Sequence, residues 1–213
     1  MKFDKEIALK TAEYLLQIKA IKLNKTNPFT WASGWKSPIY CDNRKTLSYP
    51  KIRTYIRQEF VNIINNEYGD VNVIAGVATG GIAIGALVAH DLGLPFVYVR
   101  TSKKAHGLEN KIEGVVESGQ SVVVIEDLIS TGTSSLNAVE ALRNAACTVK
   151  GMLAIFSYGF KTADDNFKTA KCNLNVLSNY EVLIKQALDS DYIKKSDVAS
   201  LNKWRQDPAN WGK

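Results

Sequence analysis

The run Val122-Val123-Val124-Ile125-Glu126-Asp127-Leu128-Ile129-Ser130-Thr131-Gly132-Thr133-Ser134 constrains this chain more than any other stretch. Consecutive β-branched residues favour a pleated surface, and an unbroken apolar run requires burial on both faces, as at the centre of a parallel sheet. A strand of that kind, Val122 to Ile125, delivers Glu126 and Asp127 to the crevice at the carboxyl ends of the strands, where open α/β sheets take small ligands. Beyond the acids, Ser130, Thr131, Thr133 and Ser134 offer hydroxyls and Gly132 a permissive turn, ahead of a helical pattern that runs from 135 to 146. Backbone N–H groups at a helix start favour an anion such as phosphate. Carboxylates for a diol and a nest for phosphate, side by side, describe the needs of a pentose 5-phosphate. Helix capping, or the magnesium site of a nucleoside triphosphatase, is the competing reading of the acids. The sequence carries no G-x-x-x-x-G-K-[ST], however, and Gly76-Val77-Ala78-Thr79-Gly80-Gly81 does not satisfy G-x-G-x-x-G.

The flanking pattern extends this sheet. Ala8, Leu9, Ala12, Leu15 and Leu16 at helical spacing predict an amphipathic first helix, and Pro50 opens a second whose buried stripe is Ile52, Ile56, Phe60 and Ile63. Between them, residues 27–44 read as a loop of unusual aromatic density. Thereafter strands and helices alternate: strand 73–77, helix 82–92 ended by Gly93, strand 96–99, the acid-bearing strand, helix 135–146 and strand 152–156, then a final strand at 174–177 with helices at 180–188 and 196–204. Alternation of this kind implies right-handed crossovers and a mainly parallel sheet flanked by helices. With 213 residues and 46% hydrophobic content the chain forms one α/β domain.

Bulk properties exclude several classes. No apolar stretch reaches membrane-spanning length and Met1–Glu6 lacks the apolar core of a secretory signal, so the expected compartment is the cytoplasm with no membrane partner. Cys41, Cys147 and Cys172 have neither the spacing of a zinc site nor an even count, which predicts reduced thiols. The net charge of +6 is dispersed rather than clustered, so a polyanionic small substrate explains it as well as nucleic acid, and nucleic acid is not expected as a partner.

Two further loops carry chemistry. Gly76 to Gly81 links a buried strand to a helix, and its small residues let backbone amides, notably at Thr79 and Gly80, approach a pyrophosphate closely; a tight turn without a ligand is the plain alternative. Arg100-Thr101-Ser102-Lys103-Lys104-Ala105-His106-Gly107 starts a long stretch, running to Gln120, that lacks an apolar period and reads as a mobile lid. Arg100, Lys104 and His106 are candidates to stabilise charge on a departing pyrophosphate, whereas His90 is an ordinary helix residue.

Taken together, these loops resemble the type I phosphoribosyltransferases. Glu126, Asp127, Leu128, Ile129, Ser130, Thr131, Gly132, Thr133 and Ser134 look like that family's 5-phosphoribosyl 1-diphosphate (PRPP) signature. Phe29-Thr30-Trp31-Ala32-Ser33-Gly34-Trp35-Lys36-Ser37-Pro38 is similar to the amino-terminal base-site segment of its orotate-using members, and Arg100, Lys104 and His106 match their R-x-x-x-K-x-H-G catalytic loop. The resemblance implies a type I phosphoribosyltransferase fold with a small amino-terminal hood, residues 1–45 holding the first helix and base-site segment and 70–160 the PRPP-binding core. It also implies transfer of a phosphoribosyl group to orotate, a contact of Ser130 with orotate, and a homodimer whose Arg100 loop reaches the neighbouring site. Mg²⁺ is implied as cofactor, carried mainly by PRPP with Glu126 and Asp127 helping indirectly and no dedicated protein metal site.

The chain departs from many relatives, which place lysine at Ala32 and Thr101, Tyr-Lys at Thr79-Gly80, and an arginine for the orotate carboxylate beyond Phe156. A charged aromatic base needs a cation, so Lys36 or Arg44 is expected to balance that carboxylate. Trp31, Trp35 and Tyr40 serve either stacking or packing. Two rival functions are a PRPP-sensing regulator that binds nucleic acid, disfavoured by the absence of an added helix-turn-helix domain, and an enzyme of the same fold acting on a purine base.

Overall fold

Helix α1 (Lys5–Gln17) begins where the Asp4 side chain accepts from the backbone N–H groups of Glu6 and Ile7, and it buries Ala8, Ala12, Leu15 and Leu16 as its spacing predicts, while Leu9, expected with them, lies at the margin of the stripe and is only half-buried. In this computed structural model residues 1–24, 28–31, 34–100 and 111–211 are described. After α1 the chain builds the hood from two short antiparallel ladders. Strand β1 (Ile21–Leu23), β2 (Phe29–Thr30), β3 (Lys36–Ser37) and β4 (Ile39–Cys41) pair as β1 with β4 and β2 with β3. The aromatic stretch expected as loop therefore contains strands, too short to show any alternation in sequence.

A 3₁₀ turn (Asn43–Ser48) leads into α2 (Pro50–Glu67), with proline at the helix start where its missing N–H costs nothing. Its stripe runs Ile52, Ile56, Phe60 and then Ile64 rather than Ile63, because steps of four keep one row facing the sheet. There follow β5 (Val73–Val77), α3 (Gly80–Leu92), β6 (Phe96–Val99), β7 (Ile112–Glu113), β8 (Ser121–Ile129), α4 (Thr133–Asn144), β9 (Thr148–Ser157), α5 (Lys161–Thr169), β10 (Leu174–Asn179), α6 (Tyr180–Asp189) and α7 (Lys195–Gln206).

The central sheet has six strands in the order β10-β9-β8-β5-β6-β7, parallel throughout except for β7, which runs antiparallel at the edge. Alternate residues of β8 serve different cores. Val123 and Ile125 join the layer that includes α1, α2 and α6, while Val122 and Val124 join the layer that includes α4 and α5. Burial on both faces is what the apolar run demanded.

Several boundaries differ from expectation. Strand β8 continues to Ile129, because β9, which itself runs Thr148–Ser157 rather than 152–156, pairs Glu126 with Ala154, Leu128 with Phe156 and Ile129 with Ser157; both acids thus lie inside the strand. Helices α3 and α4 start before 82 and 135, at Gly80 and Thr133, directly after their loops. Finally, the stretch expected as unbroken loop after Arg100 returns as β7, with Tyr98 opposite Glu113 and Val99 opposite Ile112. Among the described residues all three thiols are free, and no helix is long and apolar enough to cross a membrane.

Candidate active site

Because Glu126 and Asp127 are successive strand residues, their side chains leave opposite faces of β8. Glu126 turns toward α4: it is 6% exposed, one carboxyl oxygen accepts from Ser135 Oγ at 2.8 Å and the other from the Asp127 N–H at 2.9 Å. Burial, followed by the adjacent Asp127 charge, pushes its carboxyl well above the usual carboxylate range. Asp127, half-buried, turns toward α3 and lies directly over Gly80, where an added Cβ would stand 2.2 Å from the carboxyl carbon. At the next residue the constraint is main chain: a Cβ on Gly81 would meet the Ile125 carbonyl oxygen at 2.3 Å. Glycine in both places is what allows the 78–81 loop and the acid-bearing strand to touch, so the sugar and pyrophosphate elements anticipated in the sequence share one corner of the sheet.

The hydroxyl loop ends in Gly132, whose φ of +80° begins α4, and that helix has no side-chain cap. The same is true of α3 behind Thr79. Open N-termini alone decide nothing, since α2 and α5 also lack side-chain caps. What distinguishes α4 is its setting: Thr131 and Thr133 hydroxyls 3.2 Å apart, and Asn166 Nδ2 holding the Thr131 carbonyl at 2.9 Å. An anion seated there would meet backbone N–H groups, hydroxyls and the positive helix end together.

Beside this loop lies a cavity of about 610 Å³. Its hood side is Thr30, Trp31, Trp35, Tyr40 and Cys41; its sheet side is Leu128, Ser130, Thr131 and Tyr158. Trp31 and Trp35 are stacked with centroids 6.4 Å apart, and Tyr158 is 5.0 Å from Trp31. The cavity is backed by α7. Trp204, fully buried, packs edge-on against Trp31 at 5.6 Å and Tyr158 at 5.8 Å. Two bonds hold α7 in place, Tyr180 Oη to the Leu201 carbonyl and Arg205 Nη2 to the Gly159 carbonyl. Burial raises the Tyr158 phenol and the Cys41 thiol far above their usual ranges, with the Asp127 charge adding to both, so these walls are neutral.

Of the residues marked in the sequence, the structure brings together Thr79, Gly80, Glu126, Asp127 and the run 128–134, from the end of β8 to the first residues of α4. Lys36 and Arg44 do not line the cavity. Lys36 Nζ donates to Thr30 Oγ1 at 2.8 Å, which sets the ammonium at its rim, whereas Arg44 is paired with Asp42 at 2.7 Å. Arg100, at the end of β6, faces Glu113 across the edge hairpin at 3.4 Å. Lys104 and His106 lie outside the described residues. Sequence reasoning missed Ser135, Asn43, Tyr158 and Trp204. Only Tyr158 carried a signal, as the aromatic just beyond a buried strand.

A six-stranded, mainly parallel sheet with acids, glycine turn and hydroxyl loop at one corner defines a phosphoribosyl transferase domain, and the family model of that description matches residues 45–190. The orotate phosphoribosyltransferase of Phocaeicola vulgatus is 60% identical over 200 residues, covering 94% of each chain, and that of Cytophaga hutchinsonii is 50% identical over 213 residues, covering all of both. Among solved structures, orotate phosphoribosyltransferase from Aeropyrum pernix matches with a TM-score of 0.74 and 26% identity, over 86% of this chain and 99% of that one. The chain belongs to the orotate phosphoribosyltransferase branch of the phosphoribosyl transferase family.

Proposed function

We propose that the chain transfers the 5-phosphoribosyl group of PRPP to orotate, giving orotidine 5′-monophosphate and pyrophosphate, the step that makes a pyrimidine nucleotide. The observation that carries this reading is the juncture of a neutral aromatic cavity with the hydroxyl loop: Ser130 and Thr131 line the cavity while opening the uncapped α4. A flat base in the cavity is thereby set beside a 5-phosphate on the loop and a ribose diol at Asp127.

In the reaction N1 of orotate bonds to the anomeric carbon as the bond from that carbon to the pyrophosphate oxygen breaks, and no covalent bond to the protein is needed. Ser130 to Ser134 hold the 5-phosphate through hydroxyls and helix amides. Asp127 accepts from the diol, and Glu126 positions it by binding its N–H and tying α4 to the strand through Ser135. Amides at Thr79 and Gly80 take the pyrophosphate, whose growing charge Arg100, Lys104 and His106 offset. Between trapping walls of Trp31, Trp35 and Tyr158, orotate presents its carboxylate to Lys36, and Ser130 contacts the base. Holding two mutually repelling anions in line supplies much of the acceleration.

Mg²⁺ suits this site as a passenger of PRPP. Both Glu126 oxygens are engaged, and among the described residues no cluster of three His, Cys, Asp or Glu stands ready for a metal. Asp127 would join PRPP oxygens in the hard oxygen set magnesium prefers, and the ion would supply charge neutralisation at the pyrophosphate. We further infer a homodimer with the loop beyond Arg100 reaching the neighbouring site; the strands that flank that loop, β6 and β7, close the sheet on that side.

Purified protein with PRPP and Mg²⁺, offered orotate, uracil, adenine, hypoxanthine or xanthine separately, tests the proposal by pyrophosphate release. Release with orotate alone is expected. Release with a purine refutes the base assignment, and release with none refutes the enzyme.

A further inference from the structure

The base cavity has two walls that come from different parts of the fold. Tyr40 and Cys41 belong to hood strand β4, Leu128 to the end of β8. Their separation is bridged by Asn43, a residue that does not line the cavity and is 1% exposed. Its Nδ2 donates to the main-chain carbonyl of Asp127 at 2.6 Å, and its Oδ1 accepts from Cys41 Sγ at 3.2 Å. The amide is in turn fixed by its own backbone, whose carbonyl accepts from Thr46 Oγ1 at 2.6 Å inside the 3₁₀ turn. We infer that Asn43 is a positioning residue for the base: a strut that sets the distance between the hood wall and the sheet wall and so fixes orotate against the sugar.

Three features carry the inference. Both ends of the amide are used, one on each wall, so neither Asp nor Leu can reproduce it: a carboxylate has no N–H for the Asp127 carbonyl, and an aliphatic chain has neither group. The bonded carbonyl belongs to the residue assigned to the diol, so the same contact aligns base and ribose. The amide is also buried, where an unmade bond to a main-chain carbonyl is costly. The inference rests on the reading that orotate occupies this cavity.

Asn43→Ala and Asn43→Asp test it, with thermal unfolding as control, steady-state kinetics against orotate and PRPP, and orotate affinity from quenching of the cavity tryptophans. Loss of the bond to the Asp127 carbonyl, common to both variants, predicts an orotate KM and Kd raised at least about tenfold in each, with kcat changed less than about threefold. A merely structural role would lower the active fraction, and hence kcat, and leave KM and Kd alone; that result overturns the proposal. Failure of the alanine variant to fold leaves the decision to Asn43→Asp, which keeps the volume and the thiol acceptor, and failure of both to fold also overturns it. If the unmodified protein binds orotate but releases no pyrophosphate, the functional reading fails while the strut is still judged by Kd.

Discussion

Trp204 offers the sharpest test of how the cavity is built. Its indole is fully buried and meets four rings, those of Trp31, Tyr158, Phe160 and Tyr180, at centroid distances of 5.5 to 5.8 Å. Replacing it with alanine removes that packing and leaves a void, a change that costs about 3–5 kcal/mol in well-packed cores. Against a total stability of about 5–15 kcal/mol this leaves a protein near the edge of folding at physiological temperature. Phenylalanine behaves differently. Among the described residues indole Nε1 has no hydrogen-bond partner, so Trp204→Phe relieves a buried unsatisfied donor, worth about 1–3 kcal/mol, while giving up part of a ring, and its net cost should stay below about 1.5 kcal/mol. Urea unfolding followed by circular dichroism measures both. Since Trp31 and Tyr158 rest on this ring and the PRPP loop does not, orotate KM should rise in either variant well before PRPP KM moves. A Trp204→Ala variant destabilised by less than about 1 kcal/mol, or one with both KM values raised equally, would refute the account of α7 as the back of the base wall.

Neighbouring glycines should separate binding from folding: Gly81→Ala forces α3 off the Ile125 carbonyl and should cost about 1–3 kcal/mol in denaturant, whereas Gly80→Ala displaces only the movable Asp127 carboxylate and should weaken PRPP affinity with little loss of stability. Glu126 predicts a pH effect of definite sign. Its folded pKa lies above the ordinary 4.5, so the folded state holds the proton more tightly; the contribution of Glu126 to stability is full below about pH 4.5 and is lost as pH rises from there, by at most about 1.4 kcal/mol per pH unit. Glu126→Gln should flatten that slope in urea titrations between pH 5 and 7, and an unchanged slope would remove Glu126 as its source. Lys36→Ala should raise orotate KM about tenfold while Arg44→Ala, already committed to Asp42, changes it little; the reverse order would move the carboxylate to Arg44. Lys104→Ala should lower kcat far more than PRPP affinity, as read by single-turnover kinetics beside equilibrium binding.

How much could be read in advance depends on the physical period of each element. Val122 to Ile125 and Val73 to Val77 are buried on both faces and leave continuous apolar runs, so the parallel sheet and the corner holding Asp127, Gly80 and the hydroxyl loop were legible before any coordinates. The paired edge strand Ile112–Glu113 and the hood strands β2, β3 and β4 are two or three residues long, below the length at which alternation exists, and they fall in stretches that the sequence presents as loop. Extension of β8 through the two acids was hidden because charge at Glu126 and Asp127 breaks the apolar signal, while the pairing that enforces it comes from β9. The roles of Asn43 and Trp204 depend on contacts with residues remote in the chain, Asp127 for one and Trp31 for the other, and no local spacing encodes them.

On its hood side the wall that greets the nucleobase is Trp31 with Trp204 behind it, both outside the parallel strands, whereas the grip on sugar and phosphate is made at the strands' own ends. Selectivity for the acceptor and capture of the donor therefore draw on largely different elements, joined at Ser130, Thr131 and the Asn43–Asp127 contact. Small drifts in the hood or at the Trp204 face of α7 can retune which heterocycle is admitted while the donor's seat keeps its shape, so long as those joints hold.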